Sequence, residues 1–372
     1  MEVCVTVPTV RNPECVEAYV HNAREHGVDT DRLFFLLVTE DFCDKAGMAA
    51  MLDDLGVAGE VVGESEREAW YDEHGIAEYG YLVPANSHAE TSFGLLWMLA
   101  EDCEYGVFID DDTAPIEGVD FFGSHLDRLG SRPEVEHVRS DEQWVNVLYQ
   151  NHDRHGLYPR GYPYGAMGET IETETRVADP VVACQGLWTN IPDLDAVRIL
   201  MDGDLRGQAQ TLTRPEDFPG DFVADRGQFL TVCSMNLSFE AEVIPAFYQF
   251  PMDDNRWDIG RFDDIWSGLT LKRAADMLGR SVLSGAPLCE HNKAERSTFA
   301  DLNNEVPALE LNEHLWEALA ETPDDADDYY EAYEAMIAAV EAHDFSAYAN
   351  SEFVDYCVEH MRDWLDVCRL LD

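Results

Sequence analysis

The chain has 372 residues, enough for one large domain with an extension or for two domains. Its 24 basic and 75 acidic residues give a formal net charge of −51, which leaves no basic face and excludes nucleic-acid binding. Disorder is the usual meaning of such acidity, but a hydrophobic content of 46% and an aromatic content of 11% predict a packed core.

Strands and helices alternate in the N-terminal part of the predicted structure. Strands are predicted at 3–8, 32–40 and 60–62, and helices at 13–26, 43–55 and 87–103. The segment 32–40 is a nearly continuous apolar run, typical of a strand buried on both faces. This alternation predicts the α/β class, with a mostly parallel sheet and helices on both of its faces. No Gly-x-Gly-x-x-Gly follows the first strand, so neither flavin nor NAD is expected as a cofactor.

An acidic triplet follows the next predicted strand. Val107 to Ile109 form a short apolar strand that runs directly into Asp110, Asp111 and Asp112. Ligands of open α/β sheets bind beyond the carboxyl ends of the strands, and strand geometry points Asp110 and Asp112 the same way. Such a pair predicts a divalent metal that holds a diphosphate. The alternative is chance, because a chain of this acidity contains roughly three acidic triplets.

The second half of the chain predicts a mixed pattern that ends in helices. Longer strands are predicted at 142–150 and 228–240, a helix begins at Asp263 or Asp264 and runs to 278, and acidic helices follow 307. The last helix carries an apolar stripe that predicts core packing or a subunit contact; it consists of Phe353, Cys357, Met361, Trp364, Cys368 and Leu371. The predicted organisation is a domain at 1–305 and a helical C-terminal extension at 306–372.

Several polar groups outside the triplet are candidates for a site. Arg160 lies in a loop stiffened by two prolines, which can present a guanidinium to a phosphate or a sugar; a plain surface turn is the alternative. Asp263 and Asp264 are candidate carboxylates, with helix capping as the alternative. His291 and Lys293 share a face of an extended segment and could serve a metal and a phosphate, although structural histidines are common.

Taken in order, these motifs resemble the reversibly glycosylated polypeptides, the family of UDP-arabinopyranose mutases that is also called α-1,4-glucan-protein synthases (UDP-forming). The resemblance covers roughly residues 3–305. Its motifs are Val5-Thr-Val-Pro-Thr-Val-Arg-Asn12, Phe108-Ile-Asp-Asp-Asp112, Asn146-Val-Leu-Tyr149, Arg160-Gly-Tyr-Pro163, Gly186-Leu-Trp-Thr-Asn-Ile-Pro-Asp-Leu-Asp-Ala196, Met235-Asn-Leu-Ser-Phe239, Gly260-Arg-Phe-Asp-Asp-Ile-Trp-Ser-Gly268 and His291-Asn-Lys-Ala294. The loop around Arg160 and the segment 165–168 depart from the plant members, which leaves the sugar open.

The resemblance implies a glycosyltransferase-A-like nucleotide-sugar domain, a UDP-sugar substrate, and Mn²⁺ or Mg²⁺ without flavin. By this resemblance Asp110 to Asp112 match the metal and nucleotide motif, and Arg160 matches the arginine that the family links to self-glycosylation and mutase activity. From the residues themselves we expect His291 to join Asp110 and Asp112 as a metal ligand, and Asp263 and Asp264 to join Arg160 as catalytic residues. The substrate contacts that we expect are Thr9, Arg11, Asp110, Asp111, Trp188, Asn190, Asn236 and Lys293.

The sequence therefore predicts an enzyme that interconverts the pyranose and furanose forms of a UDP-bound sugar. A retaining or self-glycosylating transferase is the alternative, and a non-catalytic UDP-sugar-binding scaffold is a third. Nine scattered cysteines without a Cys-x-x-Cys pair, no apolar run of membrane-spanning length and no secretory signal predict a cytoplasmic protein. The acidic surface suits a salt-filled cytoplasm, and the family favours a homo-oligomer.

Overall fold

A computed structural model describes residues 2–150, 156–218, 220–252 and 255–372. Its strands are β1 Val3–Pro8, β2 Leu33–Val38, β3 Ala58–Val62, β4 Tyr105–Ile109, β5 Thr113–Pro115, β6 Glu134–Ser140, β7 Trp144–Val145, β8 Ile171–Val177, β9 Val181–Asn190, β10 Phe222–Ala224, β11 Phe229–Leu230, β12 Asn236–Glu240 and β13 Ser281–His291. Its helices are α1 Glu14–Glu25, α2 Lys45–Leu55, α3 Glu64–Glu73, α4 Thr91–Ala100, α5 Phe121–Leu126, α6 Ala196–Asp202, α7 Asp263–Met277, α8 Thr298–Ala320, α9 Tyr329–Ala342 and α10 Ser351–Leu371.

One large sheet organises the molecule, with the strand order β3-β2-β1-β4-β12-β9-β13-β10-β6-β8. The first four strands in this order are parallel to one another. β12 is antiparallel to both of its neighbours, and β9 and β13 are again parallel. The predicted α/β class is confirmed, with a parallel N-terminal half and a mixed second half.

Helices cover both faces of the sheet, as predicted. Successive residues of a strand face opposite sides, so neighbouring β2 residues report on the two layers. Phe34 stacks on Trp97 of α4, with ring centroids 4.6 Å apart, whereas Phe35 meets Phe122 of α5 edge-on at 6.5 Å. β2 is buried along its whole length because it lies between β1 and β3 and beneath both helical layers.

The strand directions bring several chain segments to one edge of the sheet. β1, β2, β4, β9 and β13 all end at this edge, because β9 is antiparallel to β12, which is antiparallel to β4. β12 begins there for the same reason. The residues that follow the five strands, and those that precede β12, therefore meet in space although they are far apart in sequence.

The C-terminal helices pack on the rest of the chain. The apolar stripe of α10 is buried from Phe353 to Cys368, with Trp364 stacked on Tyr248 at 4.6 Å, which places this stripe in the core of the same chain. Residue 306, where we predict the extension to begin, lies inside α8. Among the described residues, no helix is both long enough and apolar enough to cross a membrane.

Two strand predictions are wrong in extent. Within 142–150 only Trp144–Val145 is a strand, because Asn146 begins a turn in which the amide of Tyr149 donates to the Asn146 carbonyl. The segment 228–240 contains two strands, β11 and β12, separated by loop residues that are buried. In both segments many of the apolar residues lie in loops that pack into the core. An apolar run in the sequence does not show whether the residues belong to a buried loop or to a hydrogen-bonded strand.

Candidate functional site

A cleft of about 480 Å³ opens at the edge of the sheet where the five strands end. Its walls carry residues that follow β1, β2, β4, β9 and β13, residues that precede β12, and the first turn of α7. The cleft holds both signs of charge. Its acidic lining is Glu40, Glu90, Asp110, Asp111, Asp112, Asp193, Asp263 and Asp264, and its basic lining is Arg11, Arg160, Arg261, Lys293 and Arg296.

The three aspartates after β4 have different partners. Asp111 accepts hydrogen bonds from Arg11, at 2.9 and 2.5 Å, and from the Thr9 hydroxyl at 2.7 Å, so it ties the loop after β1 to the end of β4. Asp112 Oδ2 lies 3.7 Å from His291 Nε2 and 3.4 Å from the amide nitrogen of Ala294. Burial opposes the ionisation of Asp112, but His291 and the Ala294 amide lower its pKa below the ordinary value.

Asp110 is in the opposite electrostatic state. Burial raises the pKa of Asp110 well above its usual range, and the charges of Asp112, Asp264, Asp111 and Asp193 raise it further. The pair predicted to share a face of the strand therefore consists of one carboxylate with cationic and amide neighbours and one surrounded by other carboxylates. A cation beside Asp110 and Asp112 would relieve this repulsion.

The donor types suit a divalent cation that keeps part of its coordination for a ligand. Mg²⁺ is commonly held by one or two carboxylates together with substrate phosphates and water. No group of three or more His, Cys, Asp or Glu side chains among the described residues is placed to hold a metal ion. As they are placed, Asp110, Asp112 and His291 do not form a three-ligand metal site. Two of them would suit a metal whose remaining positions are filled by phosphate oxygens and water.

Arg160 is buried between two carboxylates. Its Nε donates to Asp193 at 3.0 Å, and Nη1 and Nη2 donate to the two oxygens of Asp264 at 3.1 and 3.2 Å. Nη2 also lies 2.9 Å from Asp193 Oδ2, and Nη1 donates to the carbonyl of Arg261. The guanidinium is therefore fully engaged by the protein, and it orients Asp193 and Asp264 toward the cleft.

The backbone beside Arg160 is fixed as well. The Arg160 amide donates to the Asp193 carbonyl at 2.8 Å. Gly161 adopts φ +86°, and a Cβ at this position would collide with Ile265 of α7. Glycine is required here both for the left-handed backbone and for the close approach of the loop to α7.

Asp263 and Asp264 occupy the first turn of α7, where Phe262 is the residue that precedes the helix. Neither carboxylate occupies the N-cap position that we considered from the sequence, because Phe262 stands there. Both line the cleft. Carboxylates in the first turn of a helix interact favourably with the helix dipole.

Lys293 is a buried cation with no acceptor among the residues that the structure describes. Only 7% of its surface is exposed, and its ammonium makes no hydrogen bond or ion pair with any residue whose contacts the structure describes. Burial lowers the pKa of Lys293 to about 8; Asp193 opposes this shift, whereas Arg296, Arg261 and Arg160 add to it. A buried ammonium in this state is suited to receive an anion from solution.

The sequence prediction missed several charged groups of the cleft. Asp193 and Arg261 lie within quoted motifs, and Arg296 follows Lys293 by three residues. Glu40 stands at the end of the predicted second strand, so its position at a strand end was a usable signal. Glu90 had no comparable signal, since it joins the cleft only through the packing of α4.

Glu40 and Glu90 form a carboxyl pair in the cleft wall beside the buried Arg67. Arg67 Nη1 lies 3.6 Å from Glu90 Oε1, and Nη2 lies 3.9 Å from Glu40 Oε1. Burial raises the pKa of Glu90 to about 9, and its hydrogen bond with Glu40 contributes to the shift. Glu90 is therefore a neutral acid at neutral pH and can donate a hydrogen bond.

Three predicted substrate contacts do not line the cleft. Trp188 is 1% exposed in the core. Asn190 is the last residue of β9, and its side-chain amide donates to the carbonyl of His291 at 3.1 Å. This hydrogen bond helps to fix the backbone of His291. Asn236 accepts from His125 Nε2 at 2.8 Å, while His125 Nδ1 contacts the Ser238 hydroxyl at 2.9 Å. The other predicted residues, Thr9, Arg11, Asp110, Asp111, Asp112, Arg160, Asp263, Asp264, His291 and Lys293, all line the cleft.

The fold and the cleft together define an α/β protein with a polar ligand site at the carboxyl ends of its strands, which is the place where such sheets bind nucleotides. Its lining carries both carboxylates and cationic side chains. The family model described as "Reversibly glycosylated polypeptide" matches residues 59–369. The chain belongs to this family.

Named relatives match over part of their length. "Probable UDP-arabinopyranose mutase 1" of Pisum sativum is 29% identical over 241 residues, which are 64% of this chain and 55% of that protein. "UDP-arabinopyranose mutase 1" of Arabidopsis thaliana is 33% identical over 173 residues, or 46% of this chain and 43% of that protein. The chain spans about half the length of the curated relatives it matches.

Solved structures are similar to this chain at low identity. The mannosyltransferase PcManGT from Pyrobaculum calidifontis in complex with GDP-Man and Mn²⁺ is 14% identical with a TM-score of 0.36, covering 100% of this chain and 84% of that one. S. aureus TarS 1–349 in complex with UDP-GlcNAc is 10% identical with a TM-score of 0.35, covering 99% and 72%.

Proposed function

We propose that the cleft binds a UDP-sugar and interconverts the pyranose and furanose forms of the bound sugar. The observation that carries this proposal is one cleft that joins Asp110 and Asp112 to the unpaired cation Lys293, in a chain of the reversibly glycosylated polypeptide family. The carboxylates suit a metal and the lysine suits a phosphate, and the diphosphate of a nucleotide sugar has oxygens for both. The names of the matched relatives point to the same activity.

The proposed cofactor is Mn²⁺ or Mg²⁺, held by two of the three side chains Asp110, Asp112 and His291 together with the diphosphate. When bound, such a metal neutralises charge on the leaving diphosphate. Asp111 takes no part in this binding, because Arg11 and Thr9 already hold both of its oxygens. The proposed role of Asp111 is to hold the loop after β1 against the substrate. The proposed reaction uses no flavin.

The chemistry begins with cleavage of the anomeric C–O bond, whose electron pair leaves with the diphosphate. The sugar becomes oxocarbenium-like, and a carboxylate facing it stabilises the positive charge. Asp264 has both oxygens fixed by Arg160, so it acts as an oriented negative charge, and Asp263 is the second candidate. The hydroxyl that closes the other ring form attacks C1 and loses its proton. The original ring C–O bond then breaks and its oxygen takes up a proton, and the UDP oxygen finally attacks C1 again.

The test is an NMR assay of the purified protein in about 1 M KCl with Mn²⁺ and a panel of UDP-sugars. We expect new furanose signals without any added acceptor. Released UDP, or a mass increase of the protein without a new ring form, would instead support the transferase alternative. Binding of the UDP-sugar without any change in the sugar would support the alternative of a non-catalytic UDP-sugar-binding scaffold.

The acidic surface and the thiols support a proposal about the cell compartment. All nine cysteines carry free thiols, as in a reducing cytoplasm. A net charge of −51 suits a cytoplasm of high salt, where surface repulsion is screened. Self-association stays a prediction from the family, since the stripe of α10 is used within the chain; sedimentation in high salt measures it.

A further inference from the structure

Three cations gather at the end of the cleft that lies against α8. We call Arg261, Lys293 and Arg296 the cation pocket. All three line the cleft, and the two arginines both reach carboxylates of α8. Three like charges that share one cleft repel one another.

Carboxylates of the protein neutralise only part of this positive charge. Arg296 Nε pairs with Asp301 at 2.8 Å, and Arg261 Nε pairs with Glu305 at 2.6 Å, both on α8. Arg261 Nη1 lies 4.0 Å from Asp301, at the limit of an ion pair. Within the described part of the chain, the terminal amino groups of Arg296 make no hydrogen bond, and neither does the ammonium of Lys293.

The backbone at Arg261 has an unfavourable conformation, and this conformation places the Arg261 side chain in the cation pocket. Arg261 has φ +66°, in the left-handed region that a non-glycine residue rarely adopts. Its carbonyl accepts from Arg160, and its side chain reaches α8. Strain of this kind persists when surrounding contacts determine it, and it is concentrated at functional sites.

We propose that the cation pocket binds the terminal phosphate of a nucleoside diphosphate directly, without a metal, and retains UDP after its bond to the sugar has broken. This inference rests on the proposed function and deepens it. Two arginine forks and one ammonium match the several oxygens of a phosphate. The phosphate oxygen that receives the electron pair of the broken C–O bond gains negative charge beside these cations, and the same oxygen later re-forms the bond.

Retention of UDP separates isomerisation from transfer. If the diphosphate leaves before the ring recloses, the sugar is lost to water or to an acceptor. If the cation pocket holds it, the nearest nucleophile for the sugar is the oxygen from which it came. Arg261 and Arg296 are thus additional substrate-binding residues, and Arg160 is not one of them, because two carboxylates and the Arg261 carbonyl already engage its guanidinium.

The test is calorimetric binding of UDP, uridine and inorganic phosphate in EDTA and about 1 M KCl. We expect wild-type protein to bind UDP without metal, and Arg296→Gln to weaken this binding by about tenfold. Arg206→Gln is the matched control, because Arg206 is a nearby surface arginine with 65% of its side chain exposed. It should bind UDP as wild type does. Uridine affinity should be the same in all three proteins.

Lys293→Met is a second variant, and it separates a binding role of Lys293 from a purely structural one. Removing an unpaired buried charge should raise the urea midpoint of unfolding while UDP binding falls. Absence of metal-free UDP binding in the wild type, or equal affinity of wild type and Arg296→Gln, overturns the proposal. Inorganic phosphate that binds as tightly as UDP identifies a general anion site and also overturns it. Metal-free binding of UDP by a protein that isomerises no UDP-sugar in the presence of Mn²⁺ would refute only the proposed function.

Discussion

Replacing Asp193 by Asn tests whether the buried Arg160 depends on both of its carboxylate partners. Asp193 is 4% exposed and Arg160 is 7% exposed, and they are joined by side-chain contacts at 3.0 and 2.9 Å. Burial opposes ionisation of Asp193, but Arg160 and Lys293 lower its pKa, so it is charged at neutral pH. Removing one partner from a buried ion pair costs about 3–5 kcal/mol. Because Asp264 still holds the guanidinium, we expect the lower end, about 3 kcal/mol.

Asp179→Asn is the matched control, since it removes one negative charge from an exposed pair. Asp179 and Arg132 are 3.5 Å apart, and 60% of each side chain is exposed. Such pairs contribute about 0–1 kcal/mol. The measurement is urea unfolding at constant KCl concentration, followed by circular dichroism. Equal loss of stability in Asp193→Asn and Asp179→Asn would refute the argument that the buried partner of Arg160 matters.

Three further predictions concern pH, salt and the metal. Burial lowers the pKa of His125 to about 4, so the unfolded chain takes up the proton first, and roughly 3 kcal/mol of stability should be lost as pH falls from 6.5 to 4; an equal loss in His125→Gln would contradict this. Because the Debye length is about 30 Å at 0.01 M salt and 3 Å at 1 M, the thermal midpoint should rise steeply with KCl, and a flat profile would disprove the surface argument. Asp112→Asn should abolish turnover with unchanged circular dichroism; activity retained in EDTA would disprove the metal role.

The sequence predicted the parallel half of the fold well because its strands are buried on both faces. β2 is apolar at every position, and an unbroken apolar run of this length is typical of a strand covered by helices on both sides. α3 was missed since only Arg67 and Tyr71 of its ten residues are buried, which leaves almost no apolar period. The two long strands predicted at 142–150 and 228–240 failed for the opposite reason, because their buried residues lie in loops.

The candidate site was predictable where polar residues follow a recognisable strand. Asp110 and His291 were found in this way. The partners of Arg160 were not, because Asp193 and Asp264 lie 33 and 104 residues away, and no local pattern connects them. Asn236 shows the converse, since an amide in a family motif was assigned to substrate and instead binds His125 in the core.

Glu305 links the last part of the chain to the cleft. It is 0% exposed, accepts from Arg261 at 2.6 Å, and accepts from the amide of Ala196 at 2.5 Å. One carboxylate of α8 thus joins the loop that carries Arg261 to the segment that carries Asp193. Among descendants of a common ancestor, a change at Glu305 should therefore be accompanied by a change at Arg261, and grafting the C-terminal helices of a distant relative onto this chain should require both positions to be exchanged together.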